Sequence, residues 1–424
     1  MFSTFIDFFK NKDIRKKIFF TLGVLFLYRL GSAIPAPGIN DIVIKLSANS
    51  ILNMMNILGG GSIEQMSIFS LGVGPYITAS IIIELLAMDI IPALADMAKE
   101  GRKGRQQMDR ITRYLGVVMG LVQGYFIVKL LSDQYGIVDN PGFISYLYIA
   151  VIFTAGTMFL LWLADQITTK GIGNGTSMII FAGIVADMPS TWQTVYATFI
   201  GENATSTLGV GGFIAYILMY IAIIVLVVVM QMSERRIPIQ QSSRAINKTK
   251  GDLNHLPLKI NSASVVPVIF ASALIQGPQI IASWVNKDAY NWLQKICDFT
   301  SPWFLMFYAV LIILFTFFYT NLTIDPQKMA DDLGKNGQYI PGVRPGVETK
   351  NYVSKVLNRI TVLGALLLTF IAILPYVVSN LTGLSQRAAV GGTGIIIVVG
   401  TAMDTIKQMK GQLTQKQYKG FVGK

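Results

Sequence analysis

Long apolar runs alternate with short hydrophilic segments along almost the whole chain. A helix needs about 20 mostly apolar residues to cross a lipid bilayer. Ten runs approach that length, and we predict a membrane-spanning helix in each of them: residues 18–36, 71–94, 111–132, 143–164, 175–190, 210–232, 263–284, 303–323, 356–379 and 389–407. The pattern therefore predicts an all-α polytopic membrane protein with ten spans.

The basic residues lie between the apolar runs rather than in one patch. If the N-terminus is cytoplasmic, 29 of the 35 Lys and Arg residues fall in segments on the inner side of the membrane. An excess of Lys and Arg is typical of cytoplasmic loops. We therefore expect both termini in the cytoplasm, and we interpret the net charge of +12 as a consequence of topology rather than of nucleic-acid binding.

Ten spans divide into five and five, and we expect the second span of each half to be interrupted, by Pro75 and Pro92 in the first half and by Pro267, Gly277 and Pro278 in the second. Because five is odd, a second half built like the first must cross the membrane in the opposite direction. Inverted repeats of this kind place the transport path between the halves, where broken helices are tolerated. We predict an N-terminal half over residues 1–190, an external hinge loop over 191–209 and a C-terminal half over 210–424.

Three segments outside the spans are unusual. Residues 233–262 and 324–355 are basic and longer than a helix connection needs, which favours docking of a large acidic or polyanionic cytoplasmic partner. Residues 51–70 are largely apolar but contain Gly59, Gly60 and Gly61 in succession, so this segment is too broken to span. We expect it to be a surface helix or a re-entrant one.

The residue inventory argues against an enzyme. With one cysteine, Cys297, and one histidine, His255, the chain offers no internal disulfide and no His/Cys metal cluster, and it has no nucleotide-binding loop. We predict no catalytic residue, no metal and no cofactor. A secondary transporter is the main alternative, and it would need charges at mid-membrane. Its candidates are Glu84 and, near span ends, Asp89, Asp165 and Asp187.

Five motifs, in their order and placement relative to the ten spans, resemble the bacterial SecY family. They are GVGPYITASIII at 72–83, GIGNG at 171–175, ERRIP at 234–238, HLPLK at 255–259 and IPGVRPG at 340–346. The resemblance covers essentially the whole chain. It includes Arg29-Leu30-Gly31 near the start and Gly391-Gly392-Thr393 near the end.

The resemblance implies an hourglass pore with a ring of aliphatic side chains at its waist. By motif position the ring residues are Val73, Ile77, Ile81, Ile180, Ile269 and Ile397. It implies a plug helix over about residues 53–70, with Gly59, Gly60, Gly61, Ile63 and Met66 as its matching residues. It also implies a lateral gate between spans two and three and spans seven and eight. Glu84, where many relatives carry Gln, and Asn174 match gate positions.

The resemblance further implies a function and a set of partners. The family's channel passes unfolded secretory polypeptides across the bacterial inner membrane and releases apolar segments sideways into lipid. Arg235, Arg236 and Arg344 match basic loop residues that dock the SecA ATPase or the ribosome, which supply the energy. Expected partners are also the SecE and SecG subunits, secretory precursors with their signal peptides, and membrane lipid.

Overall fold

The computed structural model describes residues 8–39, 56, 59–88, 90–138, 140–200, 209–241, 254–285, 292, 296, 301–382 and 386–422. Helices dominate it. They are α1 (Lys12–Ser32), α2 (Gly74–Leu86), α3 (Pro92–Lys99), α4 (Arg102–Tyr135), α5 (Phe143–Lys170), α6 (Gly175–Phe199), α7 (Gly209–Met232), α8 (Val266–Val285), α9 (Pro302–Thr323), α10 (Pro326–Lys335), α11 (Val347–Thr382) and α12 (Gln386–Val422).

Each of the ten predicted spans corresponds to a helix: α1, α2, α4 to α9, α11 and α12. Among the described residues, five stretches are by themselves long and apolar enough to cross a membrane: Lys103–Asp133, Phe143–Lys170, Gly209–Met232, Pro302–Lys335 and Val347–Asn380. Gly74–Leu86 and Val266–Ile275 are shorter apolar helices. The predicted all-α polytopic architecture is confirmed.

The predicted second span, residues 71–94, is divided between two helices. Pro75 lies in the first turn of α2 and Pro92 in the first turn of α3, positions where a missing N–H costs no helical hydrogen bond. The prolines therefore start helices rather than interrupt one. With 13 residues, α2 is only about 20 Å long, which is less than the roughly 30 Å apolar thickness of a bilayer.

The predicted seventh span behaves differently. We expected Pro267, Gly277 and Pro278 to interrupt it, but α8 runs without a break from Val266 to Val285 and includes Pro278. Pro267 is the second residue of the helix, where proline is tolerated.

The boundary expected between the halves is shifted. We predicted the fifth span to end at residue 190 and a loop to follow over 191–209, but α6 continues through Pro189 to Phe199. Ser190, Thr194 and Thr198 bond the carbonyl oxygens three or four residues before them, so polar side chains are accommodated within the helix. The connection to α7, which begins at Gly209, is shorter than predicted.

The two long hydrophilic segments form one small folded layer, which the sequence analysis did not predict. Strand β1 (Glu234–Gln241) pairs antiparallel with β2 (Asn254–Lys259) and with β3 (Gln338–Tyr339), in the order β2-β1-β3. Apolar side chains from the sheet pack against α10 and the first turns of α11. They include Ile237, Leu258, Leu333, Ile340 and Val353.

The start of α1 and the end of α12 meet at the same side of the molecule. Lys17 Nζ donates to Gln412 Oε1 at 3.1 Å, and Gln408 Oε1 accepts from the backbone N–H of Gly173 at 2.7 Å. Phe8, Ile14, Ile172 and Met409 form an apolar cluster there. Lys407 Nζ also reaches the carbonyl of Gln231 at the end of α7, at 2.7 Å. The start of α1 and the part of α12 around Gln408 to Gln412 therefore lie on one side of the molecule.

The small sheet depends on its apolar core. Ile237→Ala removes a side chain that is 2% exposed, and we expect it to destabilise this layer by about 2–5 kcal/mol. Faster proteolytic cutting at residues 233–262 in purified protein measures the effect. Arg235→Ala, an exposed position on the same strand, is the control and leaves cutting unchanged. Equal cutting of both variants would contradict the role assigned to this core.

Candidate pore and gate

A single apolar cluster contains all six residues predicted for the pore ring. Val73, Ile81, Ile180 and Ile397 are buried within it, and Ile77 and Ile269 are half-buried and pack against it. The cluster draws side chains from helices of both predicted halves. The structure thus brings the six positions into one apolar region, while their role as a ring stays a prediction.

Local structure explains how these side chains are presented. Val73 is the residue before α2 and its carbonyl accepts the N–H of Ile77 at 3.1 Å, so Ile77 and Ile81 follow it at four-residue spacing along one face. On the opposite side, α12 approaches α6 closely at Gly394. A Cβ there would lie 2.8 Å from Ile184 Cγ2. A small residue at this point allows the helices that carry Ile180 and Ile397 to pack together.

The predicted plug residues lie in a compact segment before α2. Residues 59–73 form turns rather than the helix predicted over about residues 53–70, and of the residues of that helix before Gly59 only Asn56 is described. Asn56 Oδ1 accepts from the N–H groups of Ile63 and Glu64, at 3.0 and 3.1 Å. Ile63 and Met66 are buried, but in a second cluster formed with the ends of α4 and α5.

Glu84 lies near the C-terminal end of α2, close to α9 of the second half of the chain. Its Oε1 accepts from Ser80 Oγ at 3.3 Å, whereas Oε2 is buried without a hydrogen-bond partner. Tyr319 of α9 is near enough to Glu84 to interact with the charge of its carboxylate. The ring of Tyr319 packs edge-on against the ring of Phe270 of α8, with 5.7 Å between the ring centroids. Both α2 and α4 contact α8, which is the pairing expected of a closed lateral gate.

Asn174, the other predicted gate residue, caps α6. Its Oδ1 accepts from the N–H groups of Thr176 and Ser177 at 3.1 and 3.4 Å, a common arrangement at a helix start. No hydrogen bond joins it to Glu84 in the described part of the chain. The cap is the contact that the structure gives Asn174, and its place in a gate stays a prediction.

The three predicted docking arginines lie on the small sheet and its neighbouring turn. Arg235 and Arg236 are exposed on β1, and Arg236 Nε forms an ion pair with Glu234 Oε1 at 2.9 Å. Arg344 is exposed in a turn bounded by Gly342 and Gly346, both in the left-handed region with φ of 81° and 96°. Since β3 precedes this turn and pairs with β1, the two long segments present their arginines from one layer.

The carboxylates weighed for a secondary transporter have local partners where they are described. Asp165 of α5 forms an ion pair with Arg113 of α4 at 2.8 Å, partly exposed to solvent. Asp187 Oδ1 accepts from Ser190 Oγ at 2.8 Å within α6. Asp89 lies outside the described residues. These contacts give Asp165 and Asp187 structural roles, which weakens the case for them as coupling charges.

The sequence analysis missed Tyr28 and Gly183. Tyr28 is buried in α1 and its hydroxyl bonds the Gly59 carbonyl, and Gly183 of α6 lies directly against Gly60. A tyrosine within an apolar run offers a weak signal, because a buried hydroxyl needs a partner. Nothing in the chain pattern indicates that the partner lies 31 residues further on.

This fold, with an apolar cluster between two groups of helices and a compact segment packed against them, defines a membrane channel. Solved structures share the fold. One described as a protein-conducting channel superposes with a TM-score of 0.63, covering 93% of this chain and 91% of its own at 19% identity. Sec61 in the canine ribosome-channel complex from the endoplasmic reticulum gives a TM-score of 0.60 at 18% identity.

Sequence relatives identify the family. The SecY family model matches residues 67–406. The protein translocase subunit SecY of Bacillus licheniformis is 43% identical over 429 residues, and that of Halalkalibacterium halodurans is 42% identical over 430, each alignment covering 100% of both chains. The chain belongs to the SecY family. Its function is that of a protein-conducting channel.

Glu84 provides a test of the gate. Glu84→Gln replaces a buried oxygen of a carboxylate with a neutral amide of nearly the same shape, which costs less to bury. We expect the variant to translocate precursors and to hold the closed state more firmly. Reduced ion leak through reconstituted channels would measure this.

Ser80→Ala serves as the matched control for Glu84→Gln. It removes only the hydroxyl that bonds Glu84 Oε1, so it leaves a buried carboxylate with less support and should raise the leak. An inactive, unfolded Glu84→Gln protein would show that the position has been misinterpreted.

Proposed function

We propose that this chain is the central subunit of a bacterial protein translocase, in which unfolded secretory polypeptides pass through a waist lined by Val73, Ile77, Ile81, Ile180, Ile269 and Ile397. The observation that supports this most is their common membership of one apolar cluster shared by helices of both halves. The halves comprise residues 1–199 and 209–424, joined externally between α6 and α7.

An apolar waist suits this task for two physical reasons. A narrow apolar constriction dewets, so ions meet a large barrier without a charged gate. Aliphatic side chains also have no fixed hydrogen-bond geometry, so they can close around any passing polypeptide. In the resting channel, the segment around Gly59 to Met66 acts as a plug on the external side of the waist.

Lateral release takes place where α2 and α4 contact α8. Apolar side chains of α2 and α8, among them Ile77, Ile81 and Ile269, pack in the apolar cluster beside this contact, and Glu84 lies on α2. Separation of these helices would open a path from the waist to lipid, which lets a sufficiently apolar segment leave sideways. The buried carboxylate makes the closed contact less stable than an apolar one.

The energy for transport comes from partners outside this chain. SecA or a translating ribosome docks on the layer that carries Arg235, Arg236 and Arg344, and SecE and SecG complete the channel in the bacterial inner membrane with both termini of this chain cytoplasmic. The named relatives are translocase subunits, and one structural neighbour comes from a ribosome-channel complex. The exposed guanidinium groups suit acidic or phosphate-rich docking surfaces.

Crosslinking of a stalled precursor tests the path directly. In a Cys297→Ser background, single cysteines replace Ile180 on α6 or Ile269 on α8. Matched controls replace Val185 and Leu274 on the same helices, which are 39% and 44% exposed at the surface. Precursor crosslinks at 180 and 269 but not at 185 and 274 are expected, and the opposite pattern would place the path elsewhere.

Arg344 tests the docking layer. Arg344→Glu reverses an exposed charge in a glycine-bounded turn, so we expect loss of SecA-driven secretion with an intact channel. Lys350→Glu, an exposed charge reversal in the first turn of α11, is the matched control and should keep secretion near normal. Normal translocation by the Arg344→Glu channel would remove this residue from the docking surface.

A further inference from the structure

The loop Gly59-Gly60-Gly61 is held between α1 and α6 by contacts that its own sequence does not reveal. Tyr28 Oη donates to the Gly59 carbonyl at 3.0 Å, and Arg29 Nη1 donates to the Gly60 carbonyl at 2.6 Å. Both donors come from consecutive residues of α1. Two neighbouring carbonyls of the loop are thereby bonded to a single turn of one helix.

The other side of the same loop lies against the backbone of α6. A Cβ placed on Gly60 would lie 2.9 Å from the Cα of Gly183, closer than side chains approach a backbone atom. Gly60 and Gly61 have φ of 71° and 83°, the left-handed region that favours glycine. The conformation that directs the two carbonyls toward α1 therefore also brings Gly60 against α6.

The rest of the segment is anchored in a different way. Phe69 packs on α1 where Gly31 leaves room, Met66 and Ile63 are buried, and the N–H of Ile68 bonds the Ile34 carbonyl at 3.1 Å. Apart from that backbone bond and the one from the Ala36 N–H to the Met66 carbonyl at 2.9 Å, this anchoring is apolar packing, which is non-directional and tolerates small shifts. The bonds from Tyr28 and Arg29 are directional, and a displacement of about 1 Å is enough to lose them.

We propose that Tyr28 and Arg29 form a latch that holds the 59–61 loop against Gly183 and so sets the threshold at which the channel opens. Both hydrogen bonds join the loop to one turn of α1, so a small displacement of the loop away from that turn breaks them together. Arg29 contributes more than Tyr28 because its hydrogen bond carries a charge. This inference rests on the proposed function of the segment as a plug.

The test compares two precursors, one with an intact and one with a defective signal sequence, in vesicles containing the complete translocase. Tyr28→Phe removes only the hydroxyl and Arg29→Gln removes the charge. The measured quantity is the transport rate of the defective precursor divided by that of the intact one. We expect Tyr28→Phe, which loses a neutral hydrogen bond, to raise this ratio about fivefold, and Arg29→Gln, which loses a charged one, to raise it about tenfold or more. Lys129 lies near the C-terminal end of α4, as Arg29 lies near the C-terminal end of α1. Lys129→Gln therefore removes a comparable basic residue and should leave the ratio unchanged.

Two glycine variants distinguish the contact between Gly60 and Gly183 of α6 from the effect of backbone strain alone. Gly60→Ala and Gly61→Ala both place alanine at positive φ, but only the first meets Gly183, while the second points into open space. Gly60→Ala should therefore relax signal-sequence discrimination well beyond Gly61→Ala. Equal effects of the two variants on signal-sequence discrimination would refute a role for the contact between Gly60 and Gly183.

The latch and the proposed function can fail separately. Unchanged discrimination in Tyr28→Phe and Arg29→Gln channels that transport the intact precursor normally would overturn the latch alone. Failure of the wild-type translocase to transport the intact precursor would overturn the proposed function. If Arg29→Gln does not accumulate, Tyr28→Phe still decides, since it deletes one oxygen and keeps the ring of Tyr28 within the apolar cluster.

Discussion

Burial of aliphatic side chains where the two groups of helices meet is the interaction on which the rest of this structure depends. In a bilayer, apolar contact with lipid competes with apolar contact between helices, so close packing decides how the helices associate. Gly394 allows α12 to approach α6, and α2 packs on α8. The same contacts that hold the two groups of helices together also form the apolar cluster that we propose as the waist of the channel.

The segments outside the membrane helices are folded differently at the two ends of the molecule. On the side predicted to be external, the segment from Gly59 to Val73 is folded against α1, α5 and α6, and it accepts hydrogen bonds from α1. On the side predicted to be cytoplasmic, two long segments that would otherwise be exposed loops share a sheet with its own apolar core.

The chain pattern predicted the membrane helices well because apolar length is a strong and local signal. The exposed arginines of the docking layer also followed from local sequence. The sheet did not, because β1 is largely polar and its partners lie about 20 and 100 residues away. The prolines in residues 71–94 predicted a divided span, which the structure has, but Pro278 leaves α8 unbroken because proline does not always interrupt a helix. Tyr28 and Gly183 could not be found because their roles depend on contacts between distant segments.

Ion conductance of the resting channel in planar bilayers tests the apolar waist most directly. Ile180→Asn places an amide within the cluster, and Val185→Asn places the same group at the exposed surface of α6. If the waist seals by dewetting, resting conductance rises in the first variant and stays at the wild-type level in the second. Equal conductance in both variants, with both proteins folded, would contradict the account.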